Sequence, residues 1–182
     1  MTRTLLYIFA GLLLGLAVHL IVILVLPSVA ANGTYDRISA IAQPGKMTLI
    51  DGPAVGSANP MRLDPDLSYA VCRLDLSSGP GVVSGTLPRA FWSVAVFDGR
   101  GTVIYSTTNR DGIGQVLDLG IFNPAQTRLL AEQQIDIEQG LLIVEAHSDD
   151  VFVLVRLAPA QPVMRARYEE QLGRLGCGNL RI

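Results

Sequence analysis

The chain begins with a long apolar stretch. It continues with short segments in which apolar and polar residues alternate, and turn residues lie between these segments. The stretch from Leu5 to Leu26 carries no charge and is 22 residues long. As a helix it would be about 33 Å long, which matches a hydrocarbon core of roughly 30 Å. It therefore predicts a transmembrane anchor over residues 1–27 that ends at Pro27.

The charges near this helix indicate its orientation. The N-terminal amine and Arg3 precede it, and no Asp, Glu, Lys or Arg follows before Asp36. The positive-inside bias therefore predicts a cytoplasmic N-terminus and an exported bulk. A cleaved signal peptide is the alternative, because Ser28-Val29-Ala30 has the small-x-small pattern, although signal h-regions usually have about 7–15 residues.

Alternating apolar and polar positions after the anchor predict a β-rich domain. Residues 28–60 read as a tether and loop, with a short helix over Tyr35–Ala42, and residues 61–182 as the exported domain. Single strands are predicted at Tyr69–Leu76, within Gly79–Pro88 and at Val116–Phe122.

Two hairpins are predicted. Phe91–Phe97 and Thr102–Thr108 flank an Asp-Gly turn, a strong hairpin signal. Leu141–Ala146 and Val151–Leu157 flank the turn at residues 147–150 and read as a second hairpin. The second of these strands is apolar on both faces until Arg156, which predicts a central position in a sheet.

Two helices accompany the strands. Asn123 followed by Pro124 is a good start signal for a helix that runs to about Gln134. The other begins near Pro162 and carries one apolar stripe, formed by Met164, Tyr168, Leu172 and Leu175. The fold class is therefore mainly β: an antiparallel β-sandwich or barrel-like domain with one or two peripheral helices.

Charge and cysteine content narrow the function classes. The net charge is −2, only 16% of residues are charged, and no basic stripe suits nucleic acid. The two cysteines, Cys72 and Cys177, suit a disulfide in an oxidising compartment. A buried core thiol at Cys72 with a free thiol at Cys177 is the equal alternative.

Residues 91–114, FWSVAVFDGRGTVIYSTTNRDGIG, resemble a pattern in the bacterial exported domain-of-unknown-function families 1254 and 1214. The matching residues are Phe91, Trp92, Ser93, Asn109, Arg110, Ile113 and Gly114. The resemblance implies a short membrane-anchored member with a β-sandwich-like fold and no assigned activity. Together with the charge bias, it implies a single-pass protein of the bacterial inner membrane with a periplasmic domain. Longer relatives carry two such domains, which implies a companion protein for this chain.

The polar segment that follows the first hairpin is the leading ligand-site candidate. Arg110 could clamp an anionic group, with neighbours that orient it. In the structural alternative, Asn109 caps the strand, Asp111-Gly112 forms a turn and Gly114 permits close approach of the backbone. The candidate ligand-binding residues are Arg73, Asp75, Trp92, Asn109, Arg110 and Asp111.

No catalytic constellation, cofactor site or metal site is predicted. Glu145, His147 and Asp149 occur together, but neighbours in one turn do not converge as metal ligands must. The same turn does not place a Ser, His and Asp as a catalytic triad. An enzyme is therefore less expected than a non-enzymatic protein.

The apolar helix carries its own candidate surface. Gly11, Gly15 and His19 lie at i, i+4 and i+8, on one helical face. Glycines permit close helix contact, and a polar side chain in lipid seeks a partner. This face could pair with a second copy of the chain or with a companion membrane protein.

Three hypotheses of function follow. The leading one is a non-enzymatic, membrane-anchored component of a cell-envelope assembly. The second is a binding module for a small anionic or sugar-like ligand, and the third is a hydrolase. A pocket holding Arg73, Trp92 and Arg110 would favour binding, whereas a solid core there would favour assembly.

Overall fold

The computed structural model describes residues 2–53, 56, 58–111, 114–132 and 141–180. Nine strands and three α-helices are present in these ranges. The elements are α1 Thr2–Ile41, β1 Met47–Ile50, β2 Ser68–Asp75, β3 Gly81–Thr86, β4 Phe91–Asp98, β5 Val103–Thr108, β6 Val116–Phe122, α2 Pro124–Glu132, β7 Leu142–Glu145, β8 Asp150–Ala158, α3 Arg165–Gly173 and β9 Gly176–Asn179. Short 3-10 turns precede β3 and α3.

The strands form two sheets, with orders β1-β2-β8-β4-β5 and β7-β6-β3-β9. All neighbours are antiparallel except β6 and β7, which are parallel. The prediction of a mainly β, sandwich-like domain is thus confirmed, with one parallel pair in the four-stranded sheet. We call the end of the five-stranded sheet at Asp75, Asp98 and Asp150 the near end, and the end at Phe91, Thr108 and Ala158 the far end.

Alternation along the strands builds one core between the sheets. In β8, the buried Val151, Val153, Val155 and Leu157 face the core, as do Trp92, Val94 and Val96 of β4. Leu117, Leu119 and Ile121 of β6 meet them from the other sheet. Side chains at the intervening positions of β8 therefore lie on the outer face of the five-stranded sheet.

The sequence predicted that the apolar helix ends at Pro27, and this prediction is wrong. Helix α1 continues through it to Ile41, so the separate helix expected at Tyr35–Ala42 is the last part of α1. Ile38 in its last turns and Ala42 directly after it are buried against Val71 and Phe152 on the outer face. This packing stabilises the helical conformation after Pro27, although proline disfavours the interior of a helix.

Two further expectations need correction. The predicted tether contains β1, which pairs with β2 from Met47↔Cys72 to Ile50↔Tyr69. The predicted second hairpin is wrong, because β7 and β8 belong to different sheets. Both segments are apolar enough for a core strand, and alternation along a strand does not specify its pairing partner.

Other sequence predictions hold. Strands β4 and β5 form the predicted hairpin, and β8 is the middle strand of its sheet. Helix α2 begins after Asn123, whose side chain accepts from the backbone N–H of Gln126, while the Gln126 side chain accepts from the Asn123 N–H. The predicted end of α2 near Gln134 lies outside the described residues. Leu172 of α3 is fully buried in the core.

A disulfide links the two sheets. It joins Cys72 of β2 to Cys177 of β9, whose Cα atoms are 6.1 Å apart. The disulfide alternative is thus the one that the structure contains, and it closes a loop with a sequence separation of 105. Cys72 is fully buried, so the bond lies at the sandwich interior rather than on its surface.

Candidate functional site

Arg73 and Asp75 lie at the near end, where helix α1 meets the sheet. The guanidinium of Arg73 lies 5.9 Å from the ring centroid of Tyr35, a cation–π distance. The backbone carbonyl of Arg73 accepts from the Gly45 N–H at 2.8 Å. Arg73 therefore holds the segment between α1 and β1.

Asp75 caps the short turn that follows β2. Its carboxylate accepts from the Ser77 hydroxyl at 2.6 Å and from the Ser77 N–H at 2.9 Å. These two bonds, with the hydroxyl as the larger cause, lower the pKa of Asp75 below its ordinary value. Its oxygens thus serve local structure.

Tyr35 closes the near end from the side of α1. Its hydroxyl donates to Asp150 at 2.8 Å, and its ring lies 6.3 Å from that of Phe152, which stacks on Phe97 at 4.7 Å. Desolvation, with the bond to Asp150 as a second cause, raises the pKa of Tyr35 to about 12. The Tyr35 hydroxyl and the Asp75 and Asp150 carboxylates thus have partners within the chain.

The polar turn at residues 147–150 is also built from internal bonds. The Ser148 hydroxyl donates to the backbone carbonyl of Asp150, and the Asn123 amide donates to the Asp149 carboxylate. Among the residues that the structure describes, no group of three or more His, Cys, Asp or Glu could hold a metal ion. His147 is exposed and lies outside these bonds.

Trp92 and Asn109 lie at the far end. The Trp92 side chain is fully buried in the core, and its backbone carbonyl accepts from the Asn109 N–H. The Asn109 side-chain N–H₂ donates to the carbonyl of Ala90 at 3.1 Å, while its Oδ1 is buried and has no hydrogen-bond partner in the described chain. An acceptor without a donor at this depth is costly, which makes it a candidate ligand contact.

A shallow cleft of about 480 Å³ lies beside this acceptor. Its lining comprises residues 88–92, Asn109 and residues 114–115. Gly114 has φ +70, in the left-handed region that glycine occupies readily. Gly112 and Ile113, which were part of the predicted motif, lie outside the described residues.

Arg110 projects from the rim of this cleft. It is exposed, and its guanidinium lies 5.9 Å from the ring centroid of Phe91. This contact orients the side chain along the outer face and leaves its N–H groups toward solvent. The contact with Phe91 was not predicted from the sequence.

Asp111 folds back onto the end of strand β5. Its carboxylate accepts from the Thr108 N–H at 2.7 Å and from the hydroxyls of Thr107 and Thr108. Its own N–H donates to the Thr108 carbonyl. These bonds, first the one from the Thr108 N–H, lower the pKa of Asp111. The residue therefore has a structural role that its sequence position indicated.

The structure does not bring Arg73 and Asp75 to the other four candidates. Strand β8 separates β2 from β4, and the register aligns Arg73 with Phe152 and Phe97. Trp92 lies five residues from Phe97 along β4, or about 17 Å. One pocket holding Arg73, Trp92 and Arg110 is therefore excluded.

The apolar part of α1 stands apart from the β domain. Residues Thr2–Leu26 form a helix long and apolar enough to cross a membrane, and this span is 0% buried. A Cβ atom added at Gly11 or Gly15 would meet nothing within 4 Å. The face with Gly11, Gly15 and His19 is therefore open, and its association stays a prediction.

The fold defines a class of two-sheet β domain carried behind an N-terminal apolar helix. Residues 46–168 match the family described as protein of unknown function (DUF1254), so the chain belongs to that family. No curated protein matches the sequence.

Two solved structures are similar to this chain. The VPA0106 protein from Vibrio parahaemolyticus has a TM-score of 0.59 and 11% identity, covering 83% of this chain and 35% of that one. A putative uncharacterized protein from Burkholderia cenocepacia has a TM-score of 0.47 and 14% identity, covering 83% and 38%. The first likeness supports the fold, and the chain spans about a third of that protein's length.

Proposed function

We propose that this protein is a non-enzymatic, membrane-anchored component of a bacterial cell-envelope assembly. The carrying observation is the uncovered apolar helix Thr2–Leu26, continuous with a helical end that packs on the β domain. In this proposal the helix spans the inner membrane, the N-terminus is cytoplasmic and the domain is periplasmic. The Cys72–Cys177 disulfide supports export, because disulfides persist in oxidising compartments.

The proposed assembly includes a companion. This chain covers 35% of the VPA0106 protein, so about two thirds of that protein lie outside the shared fold. The companion is a second copy of this chain or a protein with a related β domain. The Gly11, Gly15 and His19 face of α1 is the proposed contact within the membrane.

Cross-linking of the tagged full-length protein in its native membrane, followed by mass spectrometry, tests the assembly. We expect one dominant membrane partner or a cross-linked second copy. Recovery of the protein alone would overturn the proposal. Protease treatment of intact spheroplasts tests the orientation, and a domain protected from the outside would contradict it.

Substitution in α1 tests the contact face. Gly15→Leu should lower the cross-linked fraction, because a bulky side chain keeps two helices apart. Ala17→Leu adds similar bulk two positions further along, about 200° around the helix, and is the matched control. Equal cross-linking of the two variants would remove the face from the proposal.

A binding module is the second candidate function. It is favoured by the cleft at the far end and the unpartnered Oδ1 of Asn109, which would accept a hydrogen bond from a sugar-like hydroxyl. Isothermal titration with a series of neutral monosaccharides tests this candidate. We expect saturable binding of at least one of them, and no binding across the series would remove the candidate.

A further inference from the structure

The outer face of the five-stranded sheet carries two arginines at the far end. Arg156 lies on strand β8, and Arg110 lies directly after strand β5. We propose that Arg156, Arg110 and the Ser93 hydroxyl bind the oxyanion group, a phosphate or a carboxylate, of a small soluble molecule. The inference rests on the second candidate function and names the charged part of its ligand.

Arg156 was not predicted as a site residue. Its neighbours Val155 and Leu157 are fully buried in the core, so alternation directs Arg156 to the outer face. The register places it directly beside Ser93 of β4 and Tyr69 of β2. Its Nε is buried and has no hydrogen-bond partner among the described residues. A partly desolvated guanidinium without an acceptor favours an incoming anion.

Arg110 approaches the same face from the next strand. Ser93 pairs with Thr108 of β5, so Arg110, two residues further on, lies beside Phe91 on that face. Thr108 and Arg156 are thus separated by two strand spacings, or about 10 Å, and Arg110 lies in the turn directly after Thr108. Two extended arginine side chains can meet one small anion between them.

Neither arginine forms an ion pair with a carboxylate of the described residues. The ion pairs of the described residues involve Arg100, Arg165 and Arg174, and neither Arg110 nor Arg156. The nearest carboxylate in sequence, Asp111, accepts from Thr107 and Thr108 instead.

The surrounding groups favour an oxyanion over other ligands. The Ser93 hydroxyl makes no hydrogen bond in the described chain and lies between the two arginines in the register. A guanidinium presents parallel N–H groups that match two oxygens of a phosphate or carboxylate. The three donors, on β8, on β4 and in the turn after β5, therefore lie at the same end of this face.

The position of the face favours a soluble ligand over a lipid headgroup. Helix α1 meets the sheet at the near end, where Tyr35 bonds to Asp150, the first residue of β8. Arg156 lies six residues further along β8, or about 20 Å away. Under the proposed anchoring, the arginines lie at the end of the sheet opposite the contact with helix α1.

Isothermal titration of the full-length protein in neutral detergent with inorganic phosphate, and separately with acetate, tests the site. We expect saturable binding of at least one anion, weakening as salt is added. Arg156→Gln and Arg110→Gln should each weaken it about tenfold, the equivalent of about 1.4 kcal/mol. Arg100→Gln, which removes an exposed guanidinium at the near end, should leave it unchanged.

Three results would overturn the proposal. They are the absence of saturable binding to either anion, unchanged binding in Arg110→Gln, and equal weakening in the Arg100→Gln control. If Arg156→Gln does not fold, Arg110→Gln and Ser93→Ala decide the matter, because neither side chain lies in the core.

Binding only to anionic lipid vesicles would reject the soluble ligand. Since neutral sugars report on the cleft and phosphate on the arginines, the two proposals fail separately.

Discussion

The two ends of the five-stranded sheet use polar residues in different ways. At the near end, the Tyr35 hydroxyl of helix α1 donates to Asp150, and the Asp75 carboxylate accepts from the Ser77 hydroxyl. At the far end, Asn109 Oδ1 and Arg156 Nε are buried without partners among the described residues. The near end is where helix α1 meets the β domain; its buried atom without a partner, Ser39 Oγ, lies on α1, whereas the two at the far end lie on or beside the sheet strands.

This difference shows why a residue type alone does not indicate a site. Arg73 and Arg110 both lie about 6 Å from an aromatic ring. Arg73 also holds the α1–β1 segment through its backbone, whereas Arg110 lies on an exposed rim. Four predictions, from the largest expected effect to the smallest, test the contrast.

Removal of the disulfide should have the largest effect. Replacing Cys72 and Cys177 together with alanine frees a loop of about 100 residues, which costs up to about 4.7 kcal/mol in the chain-entropy model. The free energy of unfolding, from denaturant titration in detergent, measures the loss. The wild type under reducing conditions should reproduce the result, and unchanged stability in both would show that the bond does not constrain the unfolded chain.

Truncation of Ile38 tests the joint itself. Ile38 is 6% exposed, so Ile38→Ala leaves a cavity against the outer face and should cost about 2 kcal/mol or more. Ile41 on the same helix is 42% exposed, which makes Ile41→Ala the matched control. Denaturant unfolding of both variants compares them. Equal losses would contradict the docking of the last turns of α1.

Loss of the Tyr35 hydroxyl should have a smaller effect. Tyr35→Phe removes the bond to Asp150 but keeps the ring, which predicts a loss of about 1 kcal/mol. Because its pKa is raised to about 12, this contribution is complete below about pH 10 and disappears as the pH rises through 12. Thermal unfolding at neutral and alkaline pH measures it, with Tyr105→Phe as the control.

Acid titration should give the smallest change. The lowered pKa values of Asp75 and Asp111 mean that their contributions are complete above about pH 4 and disappear as the pH falls through the folded values. Asp75→Asn and Asp111→Asn should therefore narrow the stability gap between pH 7 and acidic pH. Asp51→Asn is the control. If Asp111→Asn and Asp51→Asn show the same difference in stability between pH 7 and acidic pH, the hydrogen bonds of Asp111 do not stabilise the fold.

Local signals in the sequence predicted local structure well. The Asp-Gly turn specified the β4–β5 hairpin, and Asn123-Pro124 specified the start of α2. These elements depend on residues a few positions apart, whose geometry is fixed by backbone sterics and nearby side chains. The apolar run of β8 likewise indicated a strand covered on both faces.

Tertiary packing determined what the sequence did not indicate. Helix α1 passes Pro27, and β7 joins the other sheet through pairing with β6. Of the predicted candidate residues, Asn109 and Arg110 lie at the far end, while Arg73 lies at the near end. The sequence indicated Arg156 only as the residue that interrupts an apolar strand. That its Nε has no hydrogen-bond acceptor depends on which residues surround it in the folded structure.

The hydrogen bonds of Asp111 have a consequence for crowding. Strand β5 is an edge of its sheet, and the backbone N–H and C=O of a free edge can pair with another chain. Asp111 occupies both groups of Thr108, which shortens the template that a neighbouring molecule could extend. A protein concentrated on a surface is thereby guarded against growing into a continuous intermolecular sheet.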